Sequence, residues 1–350
     1  MNKDFFISYV VPCYNVEQYL PRCIKSLECQ QIDGFDVEFV LVNDGSKDGT
    51  LKLINEFAKR DERVVVIDQL NQGVCKARNV GLNLARGKYI FFLDGDDWLT
   101  DDASEKIFKA GNKGFPDILI MGNYKAYEGK PESETIWIDA SKCTIPGTYE
   151  KNSFLDNAKK LPLSFKVYRT DFLKQRDITF DSSLIVGELY SFFICALAEA
   201  DKVGISDDYI MYYLRRKEGS AVSQLNPERD LHILDTLQII DNTIVSKCPK
   251  IGEVNGFHKT LFWLITSFSV MKYAKRIGFR PEIGALICQV KNDPVYKGLM
   301  KNIIADSYSI INRYCVLSLM LLYLPVSVSY RIIRSGIKLY MLLIPIRWRH

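Results

Sequence analysis

The sequence is short of histidine, of patterned cysteine and of long apolar runs, and each shortage argues against a class of function. Its 350 residues contain three histidines, His232, His258 and His350, too far apart to favour a zinc centre. The nine cysteines (Cys13, Cys23, Cys29, Cys75, Cys143, Cys195, Cys248, Cys288 and Cys315) never form C-x-x-C. Such an odd, scattered set predicts reduced, mostly buried thiols and a cytoplasmic setting. A formal net charge of +4 is too small to argue for a nucleic-acid partner. A membrane-spanning helix needs about 20 apolar residues, and no run is that clean: Tyr314 to Tyr330 is uncharged, but Pro325 interrupts it. There is no internal repeat and no low-complexity tract. The opening MNKDFFISYVVP does not read as a leader. Its apolar run is short, follows Asp4 and lacks a small-residue cleavage site, so it predicts a first strand.

What remains is ordinary globular composition, 47% hydrophobic and 25% charged, at a length suited to two domains or to one with an appendage. Strands and helices alternate from the start. Ile7 to Val11, Val37 to Val42, Val64 to Ile67 and Lys88 to Leu93 read as buried strands. Helices are expected over Glu17 to Gln30, from Asp48 as a cap through Ala58, and from Val74 to Ala85. Parallel strands with crossover helices predict a Rossmann-like α/β sheet at this end. Beyond it come a strand at Asp117 to Met121, an irregular hairpin insertion from Tyr124 to Tyr149, a helix from Gly187 to Ala200 and a strand from Tyr209 to Leu214. The chain then looks helical from about Pro227, which sets domains of 1–225 and 226–350.

The chain is organised around Gly87 to Leu99, GKYIFFLDGDDWL. A buried strand here delivers Asp94, Asp96 and Asp97 to its carboxyl end, where open α/β sheets bind ligands. Three anions so close raise one another's pKa unless a cation sits among them. Oxygen ligands on a short turn suit a hard divalent ion, Mg2+ or Mn2+, shared with phosphates.

Other strand ends carry weaker signals. Pro12-Cys13-Tyr14-Asn15, with Glu17 behind it, can wall a nucleotide pocket. Asn43-Asp44-Gly45-Ser46 offers an acidic side chain to a base or ribose. Asn71 to Asn79 opens a helix at Gly73, whose free amides attract anions, and Arg78 lies within reach of a pyrophosphate.

PCYNVEQYL, LVNDGSKDGT, NQGVCKARNVGL and YIFFLDGDDWL, in this order and spacing, resemble the family 2 glycosyltransferases of GT-A fold, of the bacterial surface-polysaccharide type. The likeness is strong over residues 5 to 125. It continues more weakly through Phe165-Lys166-Val167-Tyr168-Arg169 and Gly187-Glu188. It implies a mixed α/β sheet with flanking helices over the matched part, and the helical region beyond about 225 lies outside the likeness. It also implies an inverting, metal-dependent hexosyltransferase that moves a sugar from a nucleoside diphosphate, expected to be UDP, to an acceptor hydroxyl, and the basic, apolar tail adds the expectation that this acceptor is a lipid-linked glycan. By analogy Pro12, Tyr14 and Glu17 line the nucleoside pocket, Asp44 binds the base and Arg78 assists. Asp94 contacts ribose or metal-bound water, Asp96 ligates Mn2+ or Mg2+, and Glu188 and Asp97 are the catalytic candidates.

The sequence departs from the pattern at two places. Relatives of this type usually carry Glu-Asp where this chain has Glu188-Leu189, and leucine takes no proton. Glu188 must shift roles, another carboxylate such as Asp181 must serve, or catalysis is impaired. Asn43 stands where relatives often have Asp. The competing reading is therefore a pseudo-transferase that binds nucleotide sugar or a partner. A nucleotidyltransferase is disfavoured, because no Gly-rich phosphate loop follows the first strand. The tail, from about 314, interleaves Arg331, Arg334 and Lys338 with apolar residues and ends in Arg347-Trp348-Arg349. That pattern predicts a helix lying in the membrane interface, hence a peripheral enzyme on the inner face of the cell membrane. A homodimer stays open.

Overall fold

A computed structural model describes residues 5–138, 140, 144–158, 161, 165–217 and 232–251. The amino-terminal part is β1 (Phe5–Cys13), α1 (Leu20–Glu28), β2 (Asp36–Asp44), α2 (Thr50–Arg60), β3 (Val64–Gln69), α3 (Val74–Leu84) and β4 (Tyr89–Phe92). These four strands are parallel in the order β3-β2-β1-β4, as the alternation predicted. β1, β2 and β4 are buried along nearly their whole length, with Ser8 and Glu38 paired through a hydrogen bond, while β3 at the edge is half-buried. Tyr9 and Val11 of β1 join a core cluster with Ile24 and Leu27 of α1 and Phe57 of α2. On the other face Val10 meets Gly81 of α3, where an added Cβ would lie 2.2 Å from a Val10 methyl. Glycine there lets the helix lie directly on the strand.

Helix α1 begins three residues later than expected. Pro21 suits the first turn of a helix, and the preceding residues are held elsewhere: the Glu17 amide donates to Asp48 Oδ2 at 3.1 Å. The helix ends early too, at Glu28, with the Gln30 side chain reaching across to the Thr100 carbonyl and the Ser104 amide.

The second half supplies β5 (Trp98–Leu99), α4 (Ala103–Gly111), β6 (Ile118–Tyr127), β7 (Ile136–Ile138), β8 (Gly147–Glu150), α5 (Lys151–Asn157), β9 (Lys166–Arg169), α6 (Thr170–Gln175), α7 (Glu188–Glu199), β10 (Lys202–Arg215) and α8 (Ile233–Lys247). They extend the sheet as β4-β9-β6-β10-β5, with β9 antiparallel to both neighbours. Two expectations change here. Tyr124 to Tyr127 is the end of β6 rather than part of an insertion, and β7 folds back on it as the antiparallel arm. β10 starts at Lys202, seven residues before the expected Tyr209; register shifts between Ile205 and Tyr209 absorb the polar Ser206–Asp208 stretch.

α8 falls in the region expected to be helical. The tail from 314 lies outside the described residues. Among the described residues no helix is long and apolar enough to cross a membrane.

Candidate active site

Four strand ends converge on one edge of the sheet, and side chains rather than regular structure tie them together. After β1, Asn15 adopts a left-handed φ of 50°. Its amide donates to Ser46 Oγ and its side-chain oxygen accepts the Lys47 amide. Glu17 Oε2 accepts the Gly49 amide at 2.8 Å. Pro12 is buried at the end of β1, opposite Val42 of β2, and Tyr14 stands out at 46% exposure.

Asp44 closes the next loop. Its Oδ1 accepts from Gln69 Nε2 and the Gln72 amide, and its Oδ2 from the Gly73 amide, all within 2.9 Å. The amides opening α3, expected to await an anion, thus already hold one: the carboxylate of Asp44. Gly45 (φ 69°) makes that closure possible, since a Cβ there would lie 2.6 Å from the Asn71 nitrogen. Asn43 donates to Asp68 at 2.7 Å, so amide and carboxylate pair where two carboxylates would repel.

Arg78 is the centre of the arrangement. It is 2% exposed, not a surface cation, and bridges two carboxylates: Asp94 Oδ1 at 2.7 Å and Glu188 Oε1 at 3.0 Å. Burial works against its charge, but Asp94 and Glu188 more than offset this and raise its pKa above the usual arginine value. Glu188 is brought there by α7, seated by rings across the sheet. Phe180 and Phe192 stack with centroids 4.0 Å apart, and Phe92 of β4 meets both edge-on. Asp181 is not part of this group; it is exposed and caps its own turn through the Ser183 amide and hydroxyl.

Asp94, Asp96 and Asp97 present one oxygen each within 4.8 Å of one another. Asp97 is buried, with Oδ1 accepting the Leu214 amide of β10 at 2.8 Å, while its Oδ2 is buried without a partner. Burial, then the charges of Asp96 and Asp94, push its carboxyl well above the ordinary range. Burial and Asp94 also raise Asp96, which pairs with Arg216 at 2.9 Å. An orphaned buried oxygen beside two further carboxyls is a donor set that fits a hard divalent ion.

Residues 8–176 match the description of glycosyl transferase family 2. Those residues form a family 2 glycosyltransferase domain. Among curated relatives the chain is 30% identical over 229 residues, 65% of its length, to the uncharacterized glycosyltransferase EpsJ of Bacillus subtilis. It is 31% identical over 220 residues, 62% of its length, to a poly(ribitol-phosphate) beta-glucosyltransferase of Bacillus spizizenii. The match spans 66% of the first and 33% of the second, less than two thirds of either. In structure, Staphylococcus aureus TarS 1-349 in complex with UDP-GlcNAc superposes with a TM-score of 0.62 at 21% identity, covering 97% of this chain and 92% of that one. That likeness gives the fold, GT-A.

One residue of this family 2 site had no sequence motif. Arg216 follows an alternating strand in a basic Arg215-Arg216-Lys217 cluster that reads as a solvated end. Only the pairing of β10 with β5, Met211 opposite Leu99 and Tyr212 opposite Trp98, brings it beside Asp96.

Proposed function

We propose that this protein is an inverting, metal-dependent glycosyltransferase that transfers a hexose from a UDP-sugar to a hydroxyl of a lipid-linked glycan in bacterial surface-polysaccharide synthesis. The carrying observation is the Asp94–Arg78–Glu188 bridge beside three convergent carboxyls at the carboxyl ends of the strands. The named relatives, one a poly(ribitol-phosphate) glucosyltransferase, support a cell-surface polymer as the product. The UDP-GlcNAc held by TarS supports UDP as the donor nucleotide. Residues 1–225 carry this chemistry, and 226–350 form the helical region whose tail meets the inner membrane surface.

Asp96, with Asp94 and Asp97, would hold Mn2+ or Mg2+, which as a Lewis acid stabilises the charge that develops on the departing diphosphate. Pro12 at the end of β1, with Tyr14 and Glu17 in the loop that follows, lines the nucleoside pocket, Tyr14 offering its ring to the base. Asp44 shapes the same pocket through the loop it closes. Arg78 fixes Glu188 through Oε1, which orients the carboxylate to take the acceptor hydroxyl's proton as that oxygen attacks the anomeric carbon. Asp97, buried and tied to β10, acts by positioning the acidic turn.

Calorimetric titration of UDP, GDP, CDP and dTDP, each with and without Mn2+, tests the donor half. UDP alone is expected to bind tightly, in a metal-dependent manner that Asp96→Ala removes. Binding of another nucleotide would reassign the donor, and binding of none would leave the second reading. That reading is a pseudo-transferase, and Leu189 beside an arginine-bound Glu188 favours it.

A further inference from the structure

Arg216 sits on the carboxylate assigned to the divalent ion. A guanidinium nitrogen lies 2.9 Å from Asp96 Oδ2, with the two side chains 16% and 17% exposed. The residue is held from several sides. Its guanidinium lies 4.8 Å from the centre of the Tyr19 ring. The Tyr19 hydroxyl donates to Glu128 Oε1 at 3.0 Å, and Glu128 Oε2 accepts the Lys217 amide at 2.8 Å. The Glu128 amide in turn donates to the Arg215 carbonyl at 3.1 Å. Glu128 therefore clamps the backbone on both sides of Arg216. Yet Arg216 Nε is buried with no partner, as is Asp97 Oδ2 across the acidic turn. A buried donor and a buried acceptor both unmet beside one ion pair show that this arrangement leaves hydrogen-bonding capacity unused.

A guanidinium and a divalent ion compete for the same carboxylate oxygens. We infer that Arg216 is an internal counter-cation that competes with the divalent ion for Asp96, so that ion and nucleoside diphosphate bind as a coupled pair. An ion arriving alone must dislodge the guanidinium and leave its charge half-buried beside a second cation, which is costly. When a diphosphate arrives with the ion, the released guanidinium gains an anion whose oxygens match its fork of donors. Coupling of this kind is reciprocal: the nucleotide strengthens the ion by the factor by which the ion strengthens the nucleotide. The inference rests on the donor-site reading above and adds a binding order to it.

The test is titration of Mn2+ into the full chain, followed by the paramagnetic resonance signal of the free ion, with and without UDP. Without UDP, Arg216→Gln is expected to bind Mn2+ about tenfold tighter than the parent, within the usual range for coupled sites. The strengthening by UDP should shrink by a similar factor. Arg216→Lys retains the charge and should follow the parent, as should Lys217→Gln, which removes a neighbouring charge that does not touch Asp96. Equal Mn2+ affinity of Arg216→Gln and the parent without UDP would overturn the inference while leaving the donor site intact. So would a Lys217→Gln response as large as that of Arg216→Gln. Failure of every variant to bind Mn2+ even with UDP would instead overturn the metal reading itself. Thermal melts of each variant separate loss of the fold from loss of the site.

Discussion

Arg78 shows at the scale of one residue how stability and function share an atom. A guanidinium this buried is tolerable because two carboxylates meet it, and those carboxylates in turn depend on it. Arg78→Met would leave both without their shared counter-charge. We expect a loss of about 3 kcal/mol in urea-unfolding free energy together with loss of nucleotide binding. Glu188→Gln separates the two roles. Its amide still fills the space beside Arg78 but takes no proton, so transfer should fall by about 10²–10⁴ while UDP affinity changes little. Loss of UDP binding instead would make Glu188 a donor-site residue. Leu189→Asp discriminates further, since a large gain in transfer marks an impaired catalyst and a loss marks a base already in place.

At the scale of elements, the position of α7 decides where Glu188 sits, and rings set α7. Phe192 is 2% exposed, stacked on Phe180 and edge-on to Phe92 and Tyr168. Phe192→Ala should cost about 3–5 kcal/mol and lower transfer by a larger factor than the distant Phe57→Leu, a comparison that measures positioning apart from stability. A second element-level knot joins α2 to β3. Arg63 pairs with Asp61 at 2.6 Å and reaches back to the carbonyls of Glu28 and Gln30. Burial pushes the Asp61 carboxyl up, but the Arg63 hydrogen bonds outweigh it and hold it below the ordinary range. A carboxyl depressed by folding adds stability above its unfolded pKa and loses it as pH falls through the folded one. Asp61→Asn should therefore be about 1–2 kcal/mol less stable than the parent at pH 7, with the gap closing below about pH 4. A gap that stays constant into acid would deny the pairing its electrostatic origin.

At the scale of the whole molecule, two halves of unlike construction meet at β4. The parallel half presents loops, and the mixed half threads β10 back past β5 so that Leu214 and Arg216 reach the acidic turn. The proposed membrane contact of the tail is tested at this scale as well. The full chain should cosediment with vesicles containing anionic lipid, more weakly at high salt. Replacing Arg347 and Arg349 by glutamine should lower that binding about thirtyfold, at roughly 1 kcal/mol for each basic residue at the surface. Unchanged cosedimentation would remove the tail from the membrane.

By itself the sequence determined the βαβ half, the family and the acidic turn, because each is local. Apolar runs of strand length, helical spacing and Asp-Gly turns report their own conformation within a few residues. That the four strands run parallel followed from that alternation; their order β3-β2-β1-β4 did not. Tertiary structure decided what those groups meet. Arg78 read as a helix cation within reach of a pyrophosphate, and α7 delivered Glu188 to it from 110 residues away. Asp44 read as a ligand-binding carboxylate, and the fold spent it on the amides of Gln72 and Gly73. Arg216 carried no local signal at all. Its partner Asp96 is reached only through sheet pairing between distant strands, where long-range register, rather than any nearby residue type, fixes the contact.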